Sequence, residues 1–162
     1  MNMLNKIGIK DPAITYIDRP TVKVLIQKGA FILILNDGLL PGGGINDRES
    51  DTEAVKREIA EEIGATVTNI QPIGQVIQYR EFLKKRYVIK GFTAEIMQCT
   101  SNTDPQDEGE KKFTYRWLLR QDALHLVEQS IEAFADIDIQ NDTQQGKFFN
   151  LKTTFILLSE LK

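Results

Sequence analysis

The chain has 162 residues, 41% of them hydrophobic and 27% charged, and its formal net charge at pH 7 is −3. This length and apolar content allow a buried core, so we expect one globular domain over residues 1–162. Binding to nucleic acid or to an acidic membrane surface needs a basic field, so we expect neither as a partner of this weakly acidic chain.

The N-terminal part of the chain shows no targeting segment. Residues 1–20 lack the apolar core of a signal peptide, and the longest apolar run near the start, residues 31–35, is far too short to span a membrane. The only cysteine, Cys99, excludes an intrachain disulfide and a cysteine metal cluster. We therefore expect a cytoplasmic protein.

Two short runs rich in β-forming residues come next. Residues 21–27 read TVKVLIQ and residues 30–35 read AFILIL. Lys28 and Gly29 separate them, so the pattern predicts a β-hairpin. Three consecutive glycines at 42–44 follow, and they let the backbone bend sharply and approach a ligand closely.

A helix is predicted from Ser50 to Gly64. Ser50 and Glu53 form a Ser-x-x-Glu capping box, which satisfies free amides at a helix start, and Gly64 suits the left-handed position just past a helix end. Such a helix has about four turns. At about 100° per residue, its apolar side consists of Val55, Ile59 and Ile63.

Glu58 and Glu62 form a second stripe at the border of the apolar side, and Glu61 lies just beyond it. Glu58, Glu61 and Glu62 are neighbours on the helix, and like charges at this spacing destabilise it unless a cation lies among them. A hard divalent ion such as Mg²⁺ meets that need, because it prefers oxygen ligands and shares carboxylates with phosphates and water. The alternative interpretation is a solvated charged face, which is typical of an exposed helix.

Further strands are expected after this helix. Residues 67–82 and 87–97 are intermittently apolar and predict two long strands joined across residues 84–86 (KKR). We expect this charged tip to blunt the strand edges, with phosphate contact as the alternative. Residues 113–119 predict another strand, which carries Trp117.

The C-terminal part shows helical periodicity over residues 122–137. The only histidine, His125, lies there without an acidic or nucleophilic partner at a readable spacing, so we expect a surface or packing role. Residues 141–147 (NDTQQGK) are predicted to be a loop. The closing segment, residues 148–161, is more apolar than a free tail, so it either packs on the domain or contributes to a dimer contact. Monomer and homodimer are therefore both open.

Residues 43–65 carry the most informative pattern in the chain, GGINDRESDTEAVKREIAEEIGA. The positions that matter are Gly43, Glu49, Arg57, Glu58, Glu61, Glu62 and Gly64. Their identities and spacing resemble the signature of the Nudix hydrolase family, whose members include MutT-like enzymes. Ala65 departs from the pattern, because a bulkier aliphatic residue is usual there, and we expect this to affect packing only.

The resemblance implies the Nudix α/β/α sandwich, an α/β fold in which helices flank a mixed β-sheet. It also implies a Mg²⁺-dependent hydrolase, with Mn²⁺ as the alternative metal, that cleaves a phosphoanhydride by in-line attack of water. The resemblance assigns metal binding to Glu58, Glu61, Glu62 and the carbonyl of Gly42. One of these glutamates, or a later carboxylate, takes the proton from the water.

The same resemblance suggests further site residues. Glu49 lies outside the predicted helix, and Arg57 lies on the far side of that helix. We include both among the catalytic residues and interpret them as a pair that orients the site. Core packing is the default expectation for the tyrosines among the substrate contacts, with stacking on a base as the alternative. The candidate substrate contacts are Gly43, Gly44, Tyr79, Tyr87, Glu108 and Glu110. Asp107, Glu108 and Glu110 are the candidates for the later carboxylate. Thr114 stands where many relatives carry an acid, so the fourth acidic ligand is left open.

The predicted reaction is hydrolysis of a nucleoside triphosphate, an oxidised or otherwise unusual one included, to the monophosphate and pyrophosphate. The alternative substrates are ADP-ribose, a dinucleoside polyphosphate and a nucleotide sugar, because the signature grips only the diphosphate and the metal. A rival from another class is a Nudix-fold module that binds a nucleotide without cleaving it. Such modules commonly lose a glutamate from the helix, so the complete set favours catalysis.

Overall fold

The computed structural model describes residues 1–99 and 114–161. Within these ranges the chain forms six strands and three helices. The strands are β1 (Met3–Ile7), β2 (Ile17–Lys28), β3 (Phe31–Leu35), β4 (Ala65–Arg80), β5 (Lys85–Cys99) and β6 (Tyr115–Leu119). The helices are α1 (Asp51–Ile63), α2 (Arg120–Glu132) and α3 (Asp142–Glu160).

The six strands form one mixed sheet in the order β1-β4-β5-β2-β3-β6. β1 pairs with β4 and β2 with β5 in parallel, whereas the other neighbours are antiparallel. One face of the sheet packs against α1, and the other face packs against α2 and α3. The predicted α/β fold, with helices on both sides of a mixed sheet, is confirmed.

Strand β2 supplies side chains to both cores. Val22 and Val24 pack with α1, whereas Leu25 packs with α2 and α3. Successive residues of a strand point to opposite faces, which explains this division. Each of these side chains is fully buried and stabilises the fold by about 1.5–3 kcal/mol relative to an exposed position. β2 is therefore fixed from both sides.

The two predicted hairpins are present, with shifted boundaries. In the first, Gln27 pairs with Ile32, and the turn lies at residues 29–30. β2 begins earlier than predicted, at Ile17, because its first residues pair in parallel with β5. In the second, β5 begins at Lys85, so the tip consists of residues 81–84 rather than 84–86.

Arg86, which was predicted at the charged tip, lies within β5 and forms an ion pair. Its Nε donates to Oδ1 of Asp18 at 2.7 Å, and this pairing lowers the pKa of Asp18 below its ordinary value. A carboxylate partner already occupies the guanidinium. Phosphate contact by Arg86 is therefore not favoured by this arrangement.

The prediction of a loop at residues 141–147 is wrong. Asn141 caps α3, and its side chain accepts a hydrogen bond from the Gln144 amide at 3.0 Å. The first turns of α3 are polar and contain Gly146, so their sequence is typical of a loop, yet Gln145 and Gly146 are buried against the sheet. The local cap at Asn141 and contacts with segments far along the chain together stabilise this helix start.

The apolar closing segment packs on the domain as part of α3. Leu151, Leu157 and Leu158 are fully buried in the core beside α2. The helix α2 ends at Glu132, earlier than predicted, because Phe134 joins the same core from the turn that follows and stacks on Phe148 at 5.2 Å between ring centroids.

Strand β1 was not predicted, because only Ile7 among its five residues is buried and its pairing with β4 is remote in sequence. No helix in residues 1–99 or 114–161 has the length and apolarity needed to cross a membrane. The cytoplasmic location and the choice between monomer and homodimer stay predictions.

Candidate active site

Helix α1 is capped as its sequence predicts. The Ser50 side chain accepts from the Glu53 amide at 3.3 Å, and Glu53 Oε2 accepts from the Ser50 amide at 2.8 Å. At the other end, Gly64 has a φ of +70° and donates its N–H to the Ala60 carbonyl at 3.1 Å. The predicted apolar side is buried, and it comprises Val55, Ile59 and Ile63. The caps and this face together fix the direction of the glutamates.

We expect Ser50→Ala to lower the free energy of unfolding by about 1 kcal/mol, because the capping hydrogen bond to Glu53 is lost. Urea unfolding followed by circular dichroism measures the change. Ser159→Ala is the matched control, since its hydroxyl donates to a carbonyl within α3 rather than capping a helix start. An equal loss in both variants would contradict a specific capping role.

The glycine loop, residues 42–44, lies against β2. The Val22 amide donates to the Gly43 carbonyl at 2.9 Å, and the Val24 amide donates to the Pro41 carbonyl at 3.0 Å. Gly42 has a φ of +124°, and a Cβ there would collide with the Val22 carbonyl oxygen. Only glycine fits this close approach of loop to strand.

Glu58 is buried beneath this loop, with 8% of its surface exposed. A Cβ placed on Gly43 would lie 2.6 Å from both carboxylate oxygens of Glu58. The absence of a side chain at Gly43 therefore creates the space that the Glu58 carboxylate occupies.

Glu62 is tied to the same loop. Its Oε2 accepts from the Gly42 amide at 2.7 Å. Burial raises the pKa of Glu62 above its ordinary value, and the nearby ammonium of Lys23 acts in the opposite direction. Glu58 and Glu62 thus both contact the glycine loop, one through space left by Gly43 and one through a hydrogen bond.

Arg57 connects the loop to the glutamates. It forms a two-point ion pair with Glu49, Nε to Oε1 at 2.7 Å and Nη2 to Oε2 at 2.9 Å. Its Nη1 donates to Glu58 at 2.7 Å and to Glu61 at 3.1 Å, and Nη2 also donates to the Gly44 carbonyl at 2.8 Å. The expectation that Arg57 lies on the far side of the helix is wrong, because its long side chain reaches back over Glu58 and Glu61.

The pair with Arg57 also determines the ionisation of Glu49. Hydrogen bonds from Arg57, and then from the Asn46 amide, lower the pKa of Glu49 to about 2. The hydrogen bond that Arg57 donates to Glu49 also raises the pKa of Arg57 above its ordinary value. Both groups are therefore charged at any pH at which the protein would be assayed.

Sequence reasoning missed Lys23. In the sequence of β2 it stands between two fully buried valines whose side chains point to the opposite face, and its Nζ donates to the carbonyls of Gly42 at 2.7 Å and Leu40 at 2.9 Å. Desolvation lowers the pKa of Lys23, although attraction by Glu62 and Glu58 opposes this change. A lone charged residue inside the apolar run TVKVLIQ was the available signal.

The two candidate tyrosines point to opposite faces of the sheet. Tyr87 pairs in register with Gln78 of β4 and with Arg19 of β2, so it shares a face with them and, by alternation along β2, with Lys23. Tyr79, one residue after Gln78, points to the other face, where it meets Tyr16 edge-on with a centroid distance of 5.3 Å. The two rings therefore cannot line one cleft together.

Tyr87 has a cation against one face of its ring. The guanidinium carbon of Arg80 lies 4.0 Å from the ring centroid, and Arg80 is itself 7% exposed. Base stacking on Tyr87 would have to use the other ring face. Arg19, its neighbour on β2, extends its guanidinium over Gly44.

Several candidates lie outside the described residues, namely Asp107, Glu108 and Glu110. Thr114 is described, and its carbonyl accepts from the Asn36 amide at 3.0 Å, which ties it to the end of β3. His125 lies on α2, 3.0 Å from the side chain of Gln129 through Nε2, which agrees with a surface role.

The three helix glutamates have the donor chemistry that a divalent metal requires. In residues 1–99 and 114–161, no three acidic, histidine or cysteine side chains converge as a ready-made metal centre. Instead, Glu58 and Glu61 share one guanidinium nitrogen and Glu62 contacts the loop. This arrangement fits Mg²⁺, which usually takes one or two carboxylates and completes its shell with phosphates and water.

Residues 11–136, more than half of the chain, match the family model described as NUDIX domain. No curated protein matches the sequence. Among solved structures, the fold is similar to a MutT NUDIX hydrolase from Burkholderia pseudomallei, with 16% identity, a TM-score of 0.58, and coverage of 90% of this chain and 98% of that one. A NUDIX hydrolase from Nitrosomonas europaea is 19% identical, with a TM-score of 0.53 and coverage of 72% and 88%.

A third similar structure is a UDP-X diphosphatase, with 16% identity, a TM-score of 0.57, and coverage of 92% of this chain and 66% of that one. At these identities the structural likeness establishes the fold alone. The match to the family model is a separate finding and covers the glycine loop, α1 and the strands around them. The chain therefore belongs to the Nudix family and is a hydrolase that acts on pyrophosphate bonds.

Proposed function

We propose that this enzyme hydrolyses a nucleoside triphosphate to the monophosphate and pyrophosphate, with Mg²⁺ or Mn²⁺ as its metal. Nudix hydrolases generally use a divalent metal. The observation that carries the proposal is the arrangement of Glu58 and Glu61 around Arg57, next to the Gly44 carbonyl. Acidic ligands for a metal lie there beside the glycine loop and a fixed guanidinium.

Glu58, Glu61 and Glu62 would hold the metal. A divalent ion at this position supplies positive charge to the phosphate oxygens and the leaving group. Phosphoanhydride hydrolysis needs little covalent chemistry from a protein, because positioning and charge stabilisation provide most of the rate. The chain must therefore hold its carboxylates rigidly in the right place.

Arg57 and Glu49 provide this rigidity. The two-point ion pair fixes the guanidinium, which in turn holds Glu58 and Glu61. Glu61 is the more accessible of the two glutamates, with 40% of its side chain exposed against 11% for Glu58. We assign to Glu61 the acceptance of the proton from the attacking water, because incoming water can reach it.

Two cations on β2 favour a substrate with several phosphates. Arg19 extends over Gly44, and Lys23 lies beneath the Gly42 carbonyl. A triphosphate brings more negative charge to this loop than a nucleotide sugar or ADP-ribose does. Tyr87, on the same sheet face as both cations, is our candidate for base stacking, in preference to Tyr79.

Product analysis tests the proposal. The protein is incubated with Mg²⁺ or Mn²⁺ and a panel of normal and oxidised nucleoside triphosphates, ADP-ribose, dinucleoside polyphosphates and nucleotide sugars, UDP-linked ones included. Anion-exchange chromatography then identifies the products, and an EDTA-treated reaction is the control. We expect pyrophosphate and a monophosphate from one triphosphate in preference to the other compounds.

Other outcomes would redirect the assignment. Cleavage of a UDP-linked sugar alone would keep the reaction and replace the substrate, and would agree with the name of one structurally similar protein. No cleavage of any compound would favour a module that binds a nucleotide without hydrolysing it.

A further inference from the structure

We propose that the ammonium group of Lys23 is a built-in cation of the metal site, and that it takes the Gly42 carbonyl in place of a metal. The inference rests on the proposed function, since it concerns the same site. The proposal predicts the number of divalent ions bound per chain in the absence of nucleotide. The enzyme binds one ion, and removal of the ammonium opens a position for a second.

Lys23 donates a hydrogen bond to the Gly42 carbonyl oxygen, the oxygen that would otherwise be a metal ligand. Nζ lies 2.7 Å from the Gly42 oxygen and 2.9 Å from the Leu40 oxygen. Gly42 and Leu40 are both buried, and an ammonium is a compact charge with three donors. The Gly42 carbonyl is thus paired with a full positive charge at hydrogen-bond distance.

The loop cannot easily turn this carbonyl elsewhere. Backbone hydrogen bonds from Val22 and Val24 hold the residues on either side of Gly42 against β2. The positive φ of Gly42 and its close approach to the Val22 carbonyl restrict the peptide further. Lys23 belongs to the same strand, so its stem and the carbonyl are held in one rigid unit.

The ammonium of Lys23 also opposes a second divalent ion by its charge. Lys23 is attracted by Glu62 and Glu58, and Arg57 pairs with Glu49, Glu58 and Glu61. Each of these glutamates therefore already faces a cation before any metal binds. A second ion on the Gly42 carbonyl would lie beside the ammonium, and like charges in this poorly hydrated position repel strongly.

Counting bound Mn²⁺ tests the inference without relying on turnover. The protein is titrated with Mn²⁺ in the absence of nucleotide, and electron paramagnetic resonance measures the free ion. We expect one bound ion per chain in the unaltered protein and two in Lys23→Met, which keeps the length of the side chain but not its charge. Lys90→Met is the matched control, because Lys90 is a strand lysine paired with Asp51 and outside this cluster; one ion is expected.

The number of ions in Lys23→Met decides the matter. If Lys23→Met binds no more Mn²⁺ ions than the unaltered protein does, the proposal is wrong, and Lys23 only ties the loop to β2. The same conclusion holds if neither protein binds an ion. Lys23→Ala carries the same expectation if Lys23→Met does not fold. A protein that cleaves no nucleotide would contradict the proposed function, whereas the ion count would still decide the role of Lys23.

Discussion

Replacement of Glu62 by glutamine is expected to lower kcat by about 10²-fold or more, because loss of a charged metal ligand should have at least the effect of losing an outer-shell partner of such a ligand. Glutamine retains an oxygen that can accept from the Gly42 amide, as Glu62 Oε2 does at 2.7 Å. The loop should therefore keep its shape, and only the negative charge for the metal is removed. Steady-state kinetics with the best triphosphate of the panel measures the effect, and thermal unfolding checks that the fold is intact.

The matched control is Glu128→Gln, which removes the same charge from a helix on the other face of the sheet. Its kcat should equal that of the unaltered enzyme. Near-normal turnover by Glu62→Gln would show that Glu62 is not a ligand of the catalytic metal. A loss of turnover in both variants would point to a general effect of charge rather than to the site.

Gly43→Ala is expected to lower kcat by about 10²-fold, because a misplacement of about 1 Å in a catalytic group has an effect of that size. The added Cβ would lie 2.6 Å from both oxygens of Glu58. Real contacts are longer, so the carboxylate must move away from Arg57 and from its position under the loop. Kinetics with saturating metal and nucleotide measures the change, and urea unfolding separates it from loss of fold.

Gly29→Ala provides the comparison for the added methyl group. Gly29 lies in the β2–β3 turn with a φ of +58°, and nothing stands within 4 Å of a Cβ built there. This variant should lose some stability, because its backbone is strained, and no activity. If Gly43→Ala retained full turnover, the packing of Glu58 against the loop would not matter for catalysis.

The sequence allowed prediction of α1 and its glutamates because everything that forms them is local. The Ser50 and Glu53 box, the Gly64 end and the apolar spacing of Val55 and Ile59 lie within one helix. Each of these signals depends on neighbours at most a few residues away. The position of Glu58 beside Glu61 therefore follows from helix geometry alone.

Features that depend on distant contacts could not be predicted in the same way. The pairing of Lys23 with the Gly42 carbonyl requires the loop to fold back on β2. The start of α3 is polar, and the approach of its Gly146 to Arg80 of β4 shows only in the folded chain. For Arg57 the reason is different, since its side chain is long enough to reach either border of its helix, and only packing against Glu49 selects one.

The parallel pairing of β2 with β5 has a consequence for the order in which the enzyme is assembled. The glycine loop rests on β2, and β2 is secured by residues 85–95, which come from well beyond α1 in the chain. Contacts between remote segments form slowly, whereas a capped helix forms quickly. During synthesis β2, the glycine loop and α1 all leave the ribosome before β5 does, so the strand that secures the loop is the last of these parts to arrive.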